Sequence, residues 1–208
     1  MKINTNNWNK FRYTLYTPWY DLLARYFRQN REESVISLGV KNGDKVLIVG
    51  AGTGLDLEFL PAGCEIVATD ITPAMIERVK RRSEILKLNV KAVVMDGQVL
   101  EFADNTFDKI ILHLILAVIP DPLKCIKESE RVLKPGGEIV VFDKFVPKGR
   151  KVSTTRKIVN ILANLFFTDI TRNFESIVGQ TSLTVQLDKD AGFHGNFRRI
   201  KLEKMGSD

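Results

Sequence analysis

Cysteine and histidine are scarce, with two of each in a chain of 208 residues. Cys64 and Cys125 lie far apart and form no C-x-x-C, so neither a disulfide framework nor a cysteine metal site is expected. They read as buried, reduced thiols of a cytosolic protein. His113 and His194 are equally distant, and with scattered carboxylates they offer no ligand spacing, so no metal is expected. No Ser/His/Asp or Cys/His arrangement for nucleophilic catalysis emerges. No apolar run reaches about eighteen residues, so no segment is expected to span a bilayer. The first seven residues are polar and lack the apolar core of an export signal. Repeats and low-complexity segments are also missing.

What the chain does have is Val46-Leu47-Ile48-Val49-Gly50-Ala51-Gly52-Thr53-Gly54, an apolar run entering a loop with glycine at alternate positions. Such a loop turns tightly and lets a flat ligand approach the backbone. A second apolar run, Glu65-Ile66-Val67-Ala68-Thr69, ends in Asp70, whose carboxylate would sit at the tip of the neighbouring strand and accept both hydroxyl protons of a ribose. The spacing discriminates between cofactors. A dinucleotide fingerprint needs glycine at position 55, which is Leu55, and no Gly-Lys-Ser/Thr follows to make a P-loop. The reading is a nucleoside-containing cofactor at the top of a parallel sheet.

Periodicity alternates between strand and helix. Strands are expected at 45–50, 65–70, 91–95, 107–112 and 138–144, with helices at 54–60, 73–86 and 122–132. Past residue 145 a helix at 154–167 and a short one at 173–178 precede two strands at 183–187 and 196–202, joined by a turn-rich stretch at 188–195. The fold class is α/β, a doubly wound, mostly parallel sheet ending in an antiparallel C-terminal hairpin. Length and 44% apolar content suit one substantial core. Residues 1–36 read as an N-terminal helical, aromatic-rich cap and residues 37–208 as the cofactor-binding domain.

Val46 to Gly54, Asp70-Ile71-Thr72-Pro73-Ala74-Met75, Met95-Asp96-Gly97, Phe107-Asp108 and Arg131-Val132-Leu133-Lys134-Pro135-Gly136-Gly137 together resemble the ordered motifs of class I S-adenosylmethionine-dependent methyltransferases. A narrower likeness runs to the bacterial phosphatidylethanolamine N-methyltransferase and quinone methyltransferase group, through Tyr20-Asp21, Arg31, Val118-Ile119-Pro120-Asp121-Pro122 and Phe145. The resemblance implies S-adenosyl-L-methionine as cofactor and a Rossmann-like fold. It implies that Gly50, Ala51, Gly52, Thr53 and Gly54 form the binding loop. Asp96 would approach the adenine amino group while Gly97 and Gln98 flank the ring. Ile71 and Met75 would give apolar contact to adenine and ribose, or serve as helix core. Arg31 would pair with the cofactor carboxylate, or lie on the surface beside Glu32 and Glu33.

Three residues are candidates for the chemistry. Tyr16 and Tyr20, four apart, could hold a sulfonium by cation–π contact and cage the acceptor, with Tyr20 also touching cofactor. Ordinary packing is the equal rival. His113 ends the fourth strand, where ligands of open α/β sheets bind. Its imidazole could take a proton, its backbone could touch the cofactor, or it could be structural. His194, in the terminal hairpin, reads as lying away from the strand tips and inert. Leu114 departs from relatives with amine or quinone acceptors, which often carry a polar or aromatic residue nearby.

Charge and aromatics cluster. Both tryptophans and all four tyrosines fall in the first 26 residues, and residues 1–31 hold six basic groups against Asp21 alone. Residues 144–172 hold seven against Asp169. With an amphipathic helix between Arg156 and Phe167, this suits peripheral contact with an anionic membrane on its inner face. Packing of that helix on the sheet is the alternative. Nucleic acid is not expected, because no base-specific motif accompanies the charge. The acceptor is thus a small molecule or phospholipid, with the amine of phosphatidylethanolamine, a quinone and other small molecules left open. A non-catalytic, membrane-associated cofactor-binding protein is the alternative from another class.

Overall fold

The computed structural model of the chain describes residues 26–149, 160 and 169–206. Tyr16, Tyr20 and almost all of the helix expected at 154–167 lie outside the described residues. In chain order the elements are α1 (Arg28–Ser37), β1 (Lys45–Val49), a short 3-10 helix (Leu55–Phe59), β2 (Glu65–Asp70), α2 (Pro73–Leu86), β3 (Val90–Val94), β4 (Phe107–His113), α3 (Pro122–Val132), β5 (Leu133–Lys144), α4 (Phe174–Val178), β6 (Leu183–Asp190) and β7 (Phe197–Lys204).

They build one seven-stranded sheet in the order β3-β2-β1-β4-β5-β7-β6. The first five strands are parallel and β7 pairs antiparallel with β5 and β6, as the sequence pattern requires. Alternate residues of each strand face opposite sides of the sheet. Leu47, Val49, Ile110, Leu112, Ile139 and Val141 therefore pack with Cys125, Ile126 and Val132 of α3. Val46, Ile48, Ile66, Ala68, Ile111 and Val140 pack with Val35 on the α1 side and Val79 of α2. Both α2 and α3 begin with Pro, where the missing N–H costs nothing, and Asp121 caps α3 by accepting from Lys124 N–H.

Several boundaries differ from the sequence reading by a residue or two, and three differences follow from packing or pairing. α1 runs through Ser37 and contributes Ser34 and Val35 to the interior, so the boundary drawn between residues 36 and 37 cuts a helix that belongs to the core. Strand β5 starts at Leu133, because Leu133 pairs with Phe107 before Pro135-Gly136-Gly137 interrupts the register. Strand β6 reaches Asp190, since cross-strand charge extends the pairing: Arg198 on β7 donates to both oxygens of Asp188 at 3.0 and 2.6 Å.

Candidate active site

Strand order reverses between β1 and β4, and ligands of open α/β sheets bind outside the carboxyl ends of the strands at that point. A cleft lies there, lined by Gly50, Gly52, Asp70, Ile71, Met75, Met95, Asp96, Gly97, Leu114, Ile115, Val118, Ile119 and Pro120. Seven of the residues expected from the sequence to bind cofactor line it: Gly50, Gly52, Asp70, Ile71, Met75, Asp96 and Gly97. The rest of the wall is Met95 and, after β4, Leu114, Ile115, Val118, Ile119 and Pro120, none of which the sequence points to as a binder. Its signal was the topological switch, which only the strand order reveals.

The glycine loop needs its glycines. Gly50 has φ +68°, and a β-carbon built on it would stand 2.6 Å from Ile115 Cδ1. Gly52 has φ +56°, and its N–H donates to Asp70 Oδ2 at 2.9 Å. Asp70 Oδ1 accepts from Thr72 N–H at 2.9 Å, so the carboxylate is held from two sides where it lines the cleft. Burial pushes its pKa up, against the pull of those N–H bonds.

Asp96 is held by Gln98, whose amide donates to Oδ1 and Oδ2 at 3.0 and 3.1 Å. Gln98 Oε1 in turn accepts from Asp121 N–H at 2.9 Å, so this residue braces the cleft rather than lining it. Ala51 and Thr53 are buried, and the Thr53 carbonyl accepts from Arg82 Nε at 3.0 Å. Gly54 starts the 3-10 helix and packs against Val79 of α2. A further support went unread in the sequence. Asp143 on β5 accepts from Ala117 N–H at 3.0 Å and Lys144 N–H at 2.7 Å, fixing the loop after β4. Burial pushes this carboxyl up to about 6.

The structure corrects the expectations for Arg31 and His113. Arg31 is buried and its Nη1 donates to both oxygens of Asp56 at 2.9 Å, so it is neither a surface group nor placed in the cleft lining. His113 is 3% exposed, its Nδ1 lies 2.8 Å from Asp56 Oδ1, and its Nε2 lies 2.9 Å from Ser34 Oγ. Both ring nitrogens are committed to protein partners, and a catalytic imidazole needs one free. Burial alone would raise the Asp56 pKa, but the Arg31 and His113 side chains hold it far below the usual carboxylate range. His194 also moves: Lys144 pairs with Phe197, which places the 191–196 turn at the same end of the sheet as the strand tips.

The cleft fits a nucleoside joined to an amino acid through sulfur. Its described lining holds two carboxylates, close-approach backbone, apolar walls and no Lys or Arg. A pyrophosphate would face Asp70 and Asp96 with no cation to meet it. Residues 47–141 match the family pattern described as "Methyltransferase domain". The domain belongs to the class I S-adenosylmethionine-dependent methyltransferases. S-adenosyl-L-methionine is the cofactor this family takes, and Asp70, Asp96 and the Gly50–Gly52 backbone are the groups here that would hold it.

Relatives of this methyltransferase domain include the phosphatidylethanolamine N-methyltransferase of Cereibacter sphaeroides, 34% identical over 50% of this chain and 52% of that protein. The demethylmenaquinone methyltransferase of Renibacterium salmoninarum is 36% identical over 56% of this chain and 48% of that protein. The matches thus span about half the length of these relatives. Among solved structures, geranyl diphosphate methyltransferase in complex with S-adenosylmethionine superposes with a TM-score of 0.73 at 18% identity, covering 88% of this chain and 87% of that one. That likeness speaks for the fold.

Replacing Asp70 by Ala is expected to weaken S-adenosylmethionine binding by about 1.5–3 kcal/mol, the range for hydrogen bonds to a charged group. Calorimetry on a folded variant checks this, and unchanged affinity would move the ribose away from the tip of β2.

Proposed function

We propose that this chain transfers a methyl group from S-adenosylmethionine to a membrane-resident amine, phosphatidylethanolamine being the acceptor class. Methyl transfer rests on the cleft at the switch point, acidic and apolar and free of phosphate-binding cations among its described lining residues. The acceptor rests on the likeness to the Cereibacter enzyme and on the basic and aromatic residues gathered at 1–31 and 144–172. Bound S-adenosylmethionine supplies a methyl group on a sulfonium, already an activated leaving group. The protein's task is then alignment and water exclusion, and alignment alone can lower a barrier by roughly 7–11 kcal/mol. Asp70 and Asp96 would fix the nucleoside end, and Leu114, Ile115 and Val118 would shield the reacting end from water. Such a reaction runs without a strong base, in keeping with His113 being tied to Asp56 and Ser34. Tyr16 and Tyr20 keep their proposed part as a cage around the cation.

Among the described residues no helix is long and apolar enough to cross a membrane. Membrane contact in this reading is peripheral and electrostatic, through basic groups that include Arg150, Lys151, Arg156 and Lys157, which lie outside the described residues.

The test supplies labelled S-adenosylmethionine with vesicles of mixed anionic lipid and phosphatidylethanolamine, alongside demethylmenaquinone and soluble amines. Label is expected in phosphatidylethanolamine, with vesicle binding that falls steeply as salt rises, because exposed charges are screened beyond about 10 Å at 0.1 M. Label in the quinone, whose methyltransferases match equally well, would replace the lipid reading.

A further inference from the structure

At the carboxyl end of the sheet, next to the cleft, stands an ammonium group that makes no salt bridge among the described residues. Leu114, part of the cleft wall, donates its N–H to the carbonyl of Phe142 at 2.8 Å. Lys144 lies two residues further along β5, about 7 Å beyond that bond, and on the same face of the sheet as Phe142. Its Nζ sits 5.8 Å from the centre of the Phe197 ring, and among the described residues it makes no ion pair. The neighbouring carboxylate, Asp143, faces the other side and spends its oxygens on the N–H groups of Ala117 and Lys144. Burial pushes the Lys144 pKa down, and the charge of Asp143, acting through space without a salt bridge, offsets only part of that.

Beside it is an apolar surface that is equally unspent. Ring contacts run from His113 to Phe142 at 6.0 Å, Phe142 to Phe197 at 5.8 Å, Phe197 to Phe193 at 5.3 Å and Phe193 to Tyr26 at 5.9 Å. The last two rings leave the core: Phe193 is 52% and Tyr26 70% exposed. Phe193 is held there by a strained turn. Gly192, Phe193, His194 and Gly195 all have positive φ, at 118°, 56°, 56° and 81°. Two consecutive non-glycine residues in the left-handed region are uncommon, and such strain gathers where a side chain must be presented.

The geometry points to a binding site for the acceptor's phosphate and the apolar chain next to it, with Lys144 taking the phosphate and Phe193 and Tyr26 the first carbons of the chain. The inference rests on the lipid-amine reading and adds the residues that would select the lipid. Charge decides the orientation. A protonated amine would be repelled by Lys144, whereas an anion gives the half-buried ammonium a directly bonded partner. The amine is thereby left to point along β4 toward Leu114 and the cleft. Lys144 in this role is a binding residue for the acceptor, not a base.

Binding is measured by calorimetry on the full chain loaded with S-adenosylhomocysteine, with hexyl phosphate as the probe and inorganic phosphate in parallel. Lys144→Met is expected to weaken both by about tenfold or more, with S-adenosylhomocysteine affinity unchanged. Lys144→Arg, which keeps the charge, is expected to restore most of the affinity. Phe193→Ala is expected to weaken hexyl phosphate several-fold and leave inorganic phosphate alone, which separates a lipid site from a bare phosphate site. Equal binding of hexyl phosphate to the wild type and Lys144→Met would overturn the proposal, as would a Phe193→Ala effect of the same size on both probes. Because the readout is binding, a Lys144-dependent site in a protein that methylates no phosphatidylethanolamine would leave the site standing and remove the amine acceptor.

Discussion

Replacing Asp56 by Ala is expected to cost about 3–5 kcal/mol of folding stability, the range for breaking a buried ion pair by removing one member. Asp56 is 2% and Arg31 4% exposed, and the carboxylate takes bonds from Arg31 at 2.9 Å and from His113 at 2.8 Å. An ionised carboxylate accepts, so His113 carries hydrogen on Nδ1 and leaves Nε2 to Ser34. The network therefore joins three separate pieces: α1 through Ser34 and Arg31, the 3-10 helix through Asp56, and the tip of β4 through His113. Removing the carboxylate leaves a buried guanidinium without that partner and unties α1 from the sheet. The pH dependence has a definite sign. Asp56 has a folded pKa below its unfolded value of about 4, so its contribution is complete above that pH and is lost as pH falls below it. Urea titrations at pH 7 and pH 3 check both parts. A loss of under about 1 kcal/mol at pH 7 would mean that the pair behaves like a surface one and does not hold α1.

Much of the parallel sheet was legible because burial on both faces leaves strong marks. The β2, α2 and α3 ranges follow directly from apolar periodicity and from Pro at the first helical turn. Edges set by pairing were not legible. The start of β5 depends on Phe107 meeting Leu133, and the end of β6 on Arg198 meeting Asp188, both contacts between distant parts of the chain. The site divides in the same way. Gly50, Gly52, Asp70 and Asp96 could be placed at the cleft from sequence because each lies at or just past the end of a strand. Ile115 and Val118 could not, since an apolar residue in a loop reads the same whether it walls a cleft or caps a core. His113 and Arg31 misled for a related reason. A polar residue at a strand tip or before a strand is a fair ligand until a partner such as Asp56, distant in sequence, is known to claim it. His194 misled through topology, since β7 runs antiparallel and brings the hairpin turn round to the strand tips.

Replacing Gly52 by Val is expected to abolish S-adenosylmethionine binding, the largest effect on ligand among the changes considered. Two independent costs act on the same residue. Its φ of +56° lies in the left-handed region, where a β-branched residue is a true outlier. Its backbone lines the cleft, so a branched side chain would occupy space that the cofactor needs. Relaxing the backbone to escape the first cost would turn the Gly52 N–H away from Asp70 Oδ2, now 2.9 Å distant, and free the carboxylate that is to hold the ribose. The loop thus has no way to accept the side chain and keep the site. Gly52→Ala separates the contributions: it carries most of the backbone cost with little bulk, and about a tenfold loss of affinity, worth about 1.4 kcal/mol, is expected from it. Calorimetry with S-adenosylmethionine, next to circular dichroism to show that each variant folds, gives the answer. A folded Gly52→Val protein with wild-type affinity would mean that the cofactor lies away from this loop, and the assignment of the cleft between β1 and β4 would have to be withdrawn.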